Sequence, residues 1–344
     1  MTQTQSLFRS FFDMNGTASR KRGWLVFGTT LAAIVAVALV AESAPDLRRW
    51  IVPLLGPLVA VQAITMVQRL HDAGRSGYWS LLTVVPLFGF FASIIINTLR
   101  PRPGVFVAPG HKWAQGLGYL LLAGFAALTI ARAFVGVYWI PSGSMKPTLL
   151  VGDYLLVPDI SASDVQRGDV LVFRHPINGS DFVKRLIGLP GDTVQMQGGK
   201  IILNGAELPQ VAAGAFSEVY DQQGPNGTWP RCQNAPVVIG QPCFKAMARE
   251  SLPDGRSYDV LDIDTGGAAD DTEVFTVPEG HFFFMGDNRD NSFDSRYAQS
   301  TGGVGFAAAD SLIGRVSRVV FSSEGAMLGD VSHWRPDRYW KVVE

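Results

Sequence analysis

LGYLLLAGFAALTIARAFVGVYWIPSGSMKPTLL, residues 117–150, joins two kinds of chain. A bilayer-crossing helix needs about 20 mostly apolar residues, and the first part of this stretch supplies them. The last ten residues, PSGSMKPTLL (141–150), are loop residues carrying two serines. Three more apolar runs precede it, at about 24–41, 51–67 and 78–98. After it come mixed charges, frequent turns and short strand-like runs. The stretch therefore divides a membrane region from a water-soluble domain, and sets two serines where the chain leaves the bilayer.

The chain has 344 residues, 47% of them hydrophobic, and a net charge of −1. That charge gives no global basic field, which argues against a nucleic-acid partner. Buried helices of a soluble protein are the ordinary alternative to membrane spans. They are disfavoured because long uncharged runs recur without a matching polar face. A cleavable signal peptide is also disfavoured: SRKRG comes late, and no small-residue cleavage site follows the first run. The first, third and fourth runs are long enough to cross; the second is short and holds Pro53 and Pro57.

Lysine and arginine mark cytoplasmic loops. Arg9, Arg20, Lys21 and Arg22 place the N-terminus inside; Arg69 and Arg75, then Arg100, Arg102 and Lys112, do the same for the next two loops. The 42–50 loop is mixed, with Glu42 and Asp46 against Arg48 and Arg49, and suits the outside. Two consecutive inside loops imply that 78–98 dips in and returns, with Pro86 and Gly89 permitting a bend. Three full crossings then put everything after 138 outside.

The outside part reads as β-structure. DYLLV (153–157), DVLVF (169–173), DFVKRLI (181–187), TVQMQ (193–197), KIILN (200–204), EVFTV (273–277), HFFFM (281–285) and RVSRVVF (315–321) are rich in β-branched or aromatic residues and separated by turn signals. The expectation is a mainly β, largely antiparallel domain behind an α-helical membrane region. Residues 205–272 differ, with Gly, Pro, Asn and Ala clusters, and read as a β/loop insertion away from the chemistry. The two cysteines, Cys232 and Cys243, fall there. A bridge between them would contribute about 3 kcal/mol and needs an oxidising compartment; two free, partly buried thiols are the alternative.

A serine needs a base to become a nucleophile. None of the five histidines, His71, His111, His175, His281 and His333, sits in a setting that names it. A lysine can serve if burial keeps it neutral. In DFVKRLIGLPGD, strand alternation puts Phe182, Lys184 and Leu186 on one face and Val183, Arg185 and Ile187 on the other. Lys184 is thus placed to be desolvated, although a snorkelling surface lysine is the commoner case. MGDNRDNSFDSRY (285–297) fits a turn held by its own hydrogen bonds, or an Asp–Arg network that braces a site. It is no calcium loop, because Ser292 stands where such a loop needs glycine.

PSGSMKPTL, GDYLLV, RGDVLVF, DFVKRLIGLPGD and MGDNRDNSFDSR, in this order, resemble the sequence boxes of bacterial type I signal peptidases over about 138–204 and 273–321. These are membrane-anchored Ser-Lys peptidases with a mainly β catalytic domain. The resemblance implies Ser144 as nucleophile and Lys184 as general base, with Ser142 and the Ser144 N–H forming the oxyanion hole. It implies that Ser292 orients Lys184, that Asp294 and Arg296 brace its surroundings, and that Asp287 and Arg289 support the same turn. Tyr138, Ile140, Pro141, Met145, Leu149, Val172, Phe182 and Val183 match the substrate-pocket positions. The implied reaction cleaves exported preproteins after Ala-x-Ala-like sites through an acyl-enzyme, without metal or cofactor. The implied protein is a monomer in the bacterial inner membrane, multi-pass, in contact with the lipid bilayer and with its catalytic domain on the periplasmic side. Ser144 lies seven residues past Val137, within at most about 25 Å of it, so it would meet cleavage sites emerging at the membrane surface.

The family often has one or two anchoring helices. Here residues 12–100 resemble instead a small family of bacterial inner-membrane proteins, through FDMNGTASRKRGW and VQRLHDAGRSGYWSLLTVVPLFG. That resemblance implies no reaction. A cluster of Arg69, His71, Asp72 and Arg75 reads more simply as a solvated turn than as a binding site. The tail SHWRPDRYWKVVE reads as resting on lipid headgroups or as a packed edge strand, the former preferred. The expected domains are a membrane module over 1–115, an anchor over 116–138 and a peptidase domain over 139–344 with its insertion at about 205–272. The rival readings are a non-enzymatic membrane scaffold with a degenerate peptidase domain, and a self-cleaving Ser-Lys peptidase, where a DNA-binding head would replace the membrane segments.

Overall fold

The computed structural model describes residues 12–43, 51–84, 88–102, 112–131, 135–224, 226–325 and 330–344. The expected bend at Pro86, the charges at Arg9, Asp46, Arg48 and Arg49, and His111 lie outside these. The chain divides into two compact units, Met1–Phe134 and Val135–Glu344.

Among the described residues, the helices of the first unit are α1 (Arg20–Ser43), α2 (Leu55–Asp72), α3 (Phe88–Thr98) and α4 (Lys112–Ala131). Among the described residues, two helical stretches are long and apolar enough to cross a membrane, Arg20–Ser43 and Val52–Asp72. The second corrects the reading of 51–67 as short. Its prolines fall in a short 3-10 turn (Val52–Leu54) and the first turn of α2, where a missing N–H breaks no helical bond. The third run is the broken one. It forms a 3-10 stretch, Gly77–Val84, and then α3 with 11 residues, which rises only about 16 Å against a hydrocarbon core of ~30 Å. The fourth is helical over Lys112–Ala131, and Val135–Trp139 is strand, so the last residues of the expected anchor are extended.

Small residues let these helices approach closely. A Cβ on Gly23 of α1 would stand 2.1 Å from Asn97 Oδ1 of α3 and 2.8 Å from Arg69 Cδ of α2; one on Gly56 would stand 1.9 Å from Thr129 Oγ1 of α4. Arg69 is fully buried. It donates to Ala18 O at 2.9 Å and Leu99 O at 2.8 Å and pairs with Asp72. Arg69 is therefore a clasp between three segments rather than part of a solvated turn.

The second unit is β-structure. In chain order the strands are β1 (Val135–Trp139), β2 (Asp153–Pro158), β3 (Val170–Arg174), β4 (Asp181–Gly188), β5 (Thr193–Gln197), β6 (Lys200–Leu203), β7 (Ala206–Glu207) and β8 (Gln210–Val219). They continue as β9 (Pro242–Ser251), β10 (Ser257–Asp262), β11 (Phe275–Thr276), β12 (His281–Met285), β13 (Phe306–Ala308), β14 (Leu312–Arg315), β15 (Arg318–Ser322) and β16 (Lys341–Val342). Four sheets result, ordered β1-β2-β15-β16, β13-β12-β4-β3-β14, β11-β5-β6-β7 and β10-β9-β8. All their strand pairs are antiparallel.

Alternation on β4 sorts its side chains between buried clusters. Phe182 and Leu186 join Leu171, Phe173 and Phe284; Val183 packs with Val172 and Val170; Ile187 joins Val194, Ile201 and Phe283. Both faces are covered, so β4 is buried from Lys184 to Gly188.

The tail packs rather than lying free. Trp334 and Tyr339 flank the Phe321 ring at 5.2 Å each, and β16 pairs with β15. The tail is thus packed along a strand edge, as the second of the two readings expects.

Candidate active site

The two serines lie on the connection of the β1–β2 hairpin. Its ladder continues past the strands: Ile140 N–H donates to Asp153 O at 2.8 Å, and Gly152 N–H to Ile140 O at 2.9 Å. The loop is closed at its base, and Met145 and Leu149 root it in the core.

Three other segments grip the loop. From the turn after β12, Asn288 N–H donates to Ser144 O at 3.0 Å and Asn288 Nδ2 to Gly143 O at 2.9 Å. From the C-terminal segment, buried Arg338 donates to Thr148 O at 3.0 Å and pairs with Asp153. From the insertion, Lys146 pairs with Glu218, and the Thr228 hydroxyl donates to Pro141 O at 3.0 Å. The expectation of an insertion away from the chemistry is therefore corrected. Leu261 N–H also reaches Asp287 O at 2.8 Å, and Glu250 of β9 holds Arg289 at 2.6 Å. The disulfide Cys232–Cys243 fastens the Thr228–Cys232 segment to β9.

Lys184 Nζ lies 2.7 Å from Ser144 Oγ, and Ser142 Oγ lies 3.3 Å from the same atom. Lys184 is 4% exposed. Burial, the largest influence, lowers its pKa from 10.5 to about 8; Arg296 lowers it further, while Asp294 and Asp287 oppose the shift. Those carboxylates cannot fix its charge, because each is claimed by an arginine. Asp294 takes Arg296 Nε and Nη2, both at 2.9 Å. Asp287 takes Arg185 Nε and Nη2, both at 2.8 Å. Asp294 is pushed up by burial, yet Arg296 leaves it below the usual carboxylate range.

The turn after β12 fits the loop tightly. A Cβ on Gly286 would stand 2.2 Å from Ser292 Oγ and 2.6 Å from Ser144 O, so only glycine fits. Gly286 N–H instead donates to Asp294 Oδ2 at 3.0 Å. Ser292 is 5% exposed, but its hydroxyl makes no hydrogen bond. Its expected bond to Lys184 is absent from this arrangement, where Nζ is engaged with Ser144. Arg289, expected to support the turn, does so by bridging to the insertion.

The expected pocket residues divide by burial. Ile140, Met145, Leu149 and Val172 are at most 3% exposed, so they shape the site from beneath. Tyr138 and Val183 pack at the edge of the same cluster, Phe182 packs on another, and Pro141 is exposed.

Two features escaped the sequence reading. Strand alternation puts Arg185 on the face opposite Lys184 and says no more of it; it is buried, holds Asp287 and lies 4.0 Å from the Tyr258 ring centre. Lys146, two residues past Ser144, is 2% exposed. Burial lowers its pKa also, but Glu218 opposes this, and a lysine donating to a carboxylate keeps its proton. Lys146 and Lys184 thus differ in kind: Lys146 faces an acid and Lys184 faces a hydroxyl. Among the described histidines none bonds Ser144. His175, the buried one, meets Gly303 O at 2.8 Å.

Residues 113–321 match the family described as signal peptidase, peptidase S26. Residues 11–105 match a family described as a protein of unknown function (DUF805). Signal peptidase I of Pseudomonas fluorescens is 35% identical over 222 residues, which is 60% of this chain and 67% of that protein. Signal peptidase I of Rickettsia typhi is 30% identical over 228 residues, covering 58% and 76% respectively. A crystal structure of a signal peptidase I from Enterococcus faecalis V583 is similar at 28% identity, covering 45% of this chain and 97% of that one, with a TM-score of 0.23.

Proposed function

Because this chain belongs to the signal peptidase family, peptidase S26, we propose that it removes signal peptides from exported preproteins by Ser-Lys chemistry. The observation that carries the mechanism is the buried Lys184 ammonium position 2.7 Å from Ser144 Oγ. Neutral Lys184 takes the Ser144 proton as Oγ attacks the scissile carbonyl carbon. Ser142 Oγ–H and the Ser144 N–H donate to the oxyanion, a contribution of about 10²–10³ in rate per donor. Lys184 returns its proton to the departing amine. Water, activated by the same lysine, then hydrolyses the acyl-enzyme. Shallow apolar walls from Tyr138, Phe182 and Val183 suit the small side chains of an Ala-x-Ala site, with the substrate extended along a strand edge.

The disulfide supports an extracytoplasmic place for this domain, and the arginine- and lysine-bearing ends support a cytoplasmic face for the other side. Three crossings, by α1, α2 and α4, satisfy both. We read the chain as monomeric, acting in the inner membrane without metal or cofactor.

The test is cleavage of a precursor carrying an Ala-x-Ala site by the full chain in detergent. Wild type is expected to cut after the site, and Ser144→Ala and Lys184→Ala to be inactive while remaining folded. A Lys184→Ala variant with near-normal turnover would remove Lys184 from the mechanism.

A further inference from the structure

Lys146 is not the base, yet its burial beside the nucleophile calls for a cause. Its ammonium donates to Gln223 Oε1 at 2.7 Å and to Glu218 Oε2. Both acceptors belong to the insertion: Glu218 lies on β8 and Gln223 just beyond it. The other oxygen of Glu218 takes Lys245 of β9, which is 1% exposed. Gln223 Nε2 donates to Glu218 Oε2 at 2.8 Å, and Gln223 exchanges both backbone bonds with Thr228 at 2.9 Å each. Thr228 is the residue that holds Pro141 O. One segment of the insertion therefore grips the serine loop at Pro141 and at Lys146, on either side of Ser142 and Ser144.

A buried ion pair adds little net stability, because desolvation offsets the attraction; its best-attested use is to fix one arrangement. Between these grips the loop's own backbone bond is Lys146 N–H to Gly143 O at 3.2 Å, and, among the described residues, Asn288 alone holds Gly143 O and Ser144 O from the other side. We propose that Lys146 is a positioning residue for the peptidase reaction, through which Glu218 of the insertion holds the loop so that Ser144 Oγ meets Lys184 Nζ. The proposal rests on the reading of Ser144 as the nucleophile. It gives the insertion a part in turnover that its distance in sequence from both catalytic residues conceals.

The test uses Lys146→Met in the full chain. This variant leaves Glu218 paired with Lys245, so it folds without an orphaned buried charge. The expected result is a fall in kcat of about ten- to a hundredfold, as for a misplacement near 1 Å, with KM and the melting temperature little changed. The limb of the pH profile near 8, set by Lys184, stays where it is. Lys146→Arg, which can still reach Glu218, recovers most of the loss. Glu218→Gln lowers kcat similarly, and the double variant loses no more than the worse single one, since the two act as a unit. Full kcat in Lys146→Met, or losses that multiply in the double variant, would overturn the proposal. Ser144→Ala separates the two readings. If it stays active, the nucleophile is misassigned. If it is dead while Lys146→Met is fully active, only the positioning role falls.

Discussion

At Lys184 the proposed reaction and the fold make opposite demands. The unfolded lysine has a pKa of 10.5 and the buried one about 8. Below pH 8 both states carry the ammonium, and the native state bears its whole desolvation penalty, about 3 kcal/mol. Between pH 8 and 10.5 the unfolded chain holds a proton the native chain has lost, so stability rises with pH through that window. Above it the penalty is gone. Lys184→Met should therefore be inactive but more stable at pH 7, by up to about 3 kcal/mol, with the gain vanishing towards pH 10. Urea unfolding in detergent at the two pH values checks this; a variant no more stable than wild type at pH 7 would mean that Lys184 is not desolvated. With Lys184 as the proposed base, the kcat/KM of wild type should rise with pH through about 8 as it loses its proton. Gly286 is the neighbouring constraint. Gly286→Ala should lower stability by about 1–3 kcal/mol through overpacking and lower kcat, because its methyl would displace Ser292 or the Ser144 carbonyl. A Gly286→Ala enzyme with wild-type kcat and melting temperature would show that the turn has slack.

Among the elements, strands β2 to β6, β12 and β15 were readable from their β-branched and aromatic runs, whereas β1 and β8 to β10 were not named. DYLLV alternates as a half-buried strand, and VLVF is buried throughout. The insertion was readable as β and loop but not in its placement. Lys146 and Glu218 stand 72 positions apart, and each alone looks like an ordinary surface charge. Nothing local reveals that two such groups will satisfy each other in the interior. Ser292 shows the reverse: its motif was legible, but its hydroxyl orientation depends on where Lys184 points. The disulfide fastens the Thr228 segment to β9, so its loss should act on stability first. Cys232→Ser/Cys243→Ser should unfold about 3 kcal/mol more easily, on the loop-entropy account. Wild type in excess dithiothreitol should match it in the urea midpoint. If the midpoints of variant and oxidised wild type coincide, the bridge adds nothing to the fold.

Over the whole molecule, the proposed placing of the membrane loops rests on charge rather than on periodicity. Runs 51–67 and 78–98 look alike in composition. One became a helix because its prolines fall at the start; the other broke into a 3-10 stretch and a short helix. The bonds between ends are more telling than the lengths. Arg69 of α2 reaches Leu99 O at 2.8 Å, and Arg102 N–H reaches Asp72 O at 2.9 Å. The 69–76 turn and the chain after α3 thus lie at one end of the first unit, as they must if the segment between them dips and returns. Accessibility to a membrane-impermeant maleimide tests this, using single cysteines in the Cys232→Ser/Cys243→Ser background. Ser76→Cys and Arg102→Cys should label only after spheroplasts are permeabilised, and Ser180→Cys, on the peptidase unit, before. Labelling of Ser76→Cys in intact spheroplasts would invert the proposed topology. Labelling of Arg102→Cys alone would mean that the third run crosses, which would require its two ends to part from the bonds that now join them.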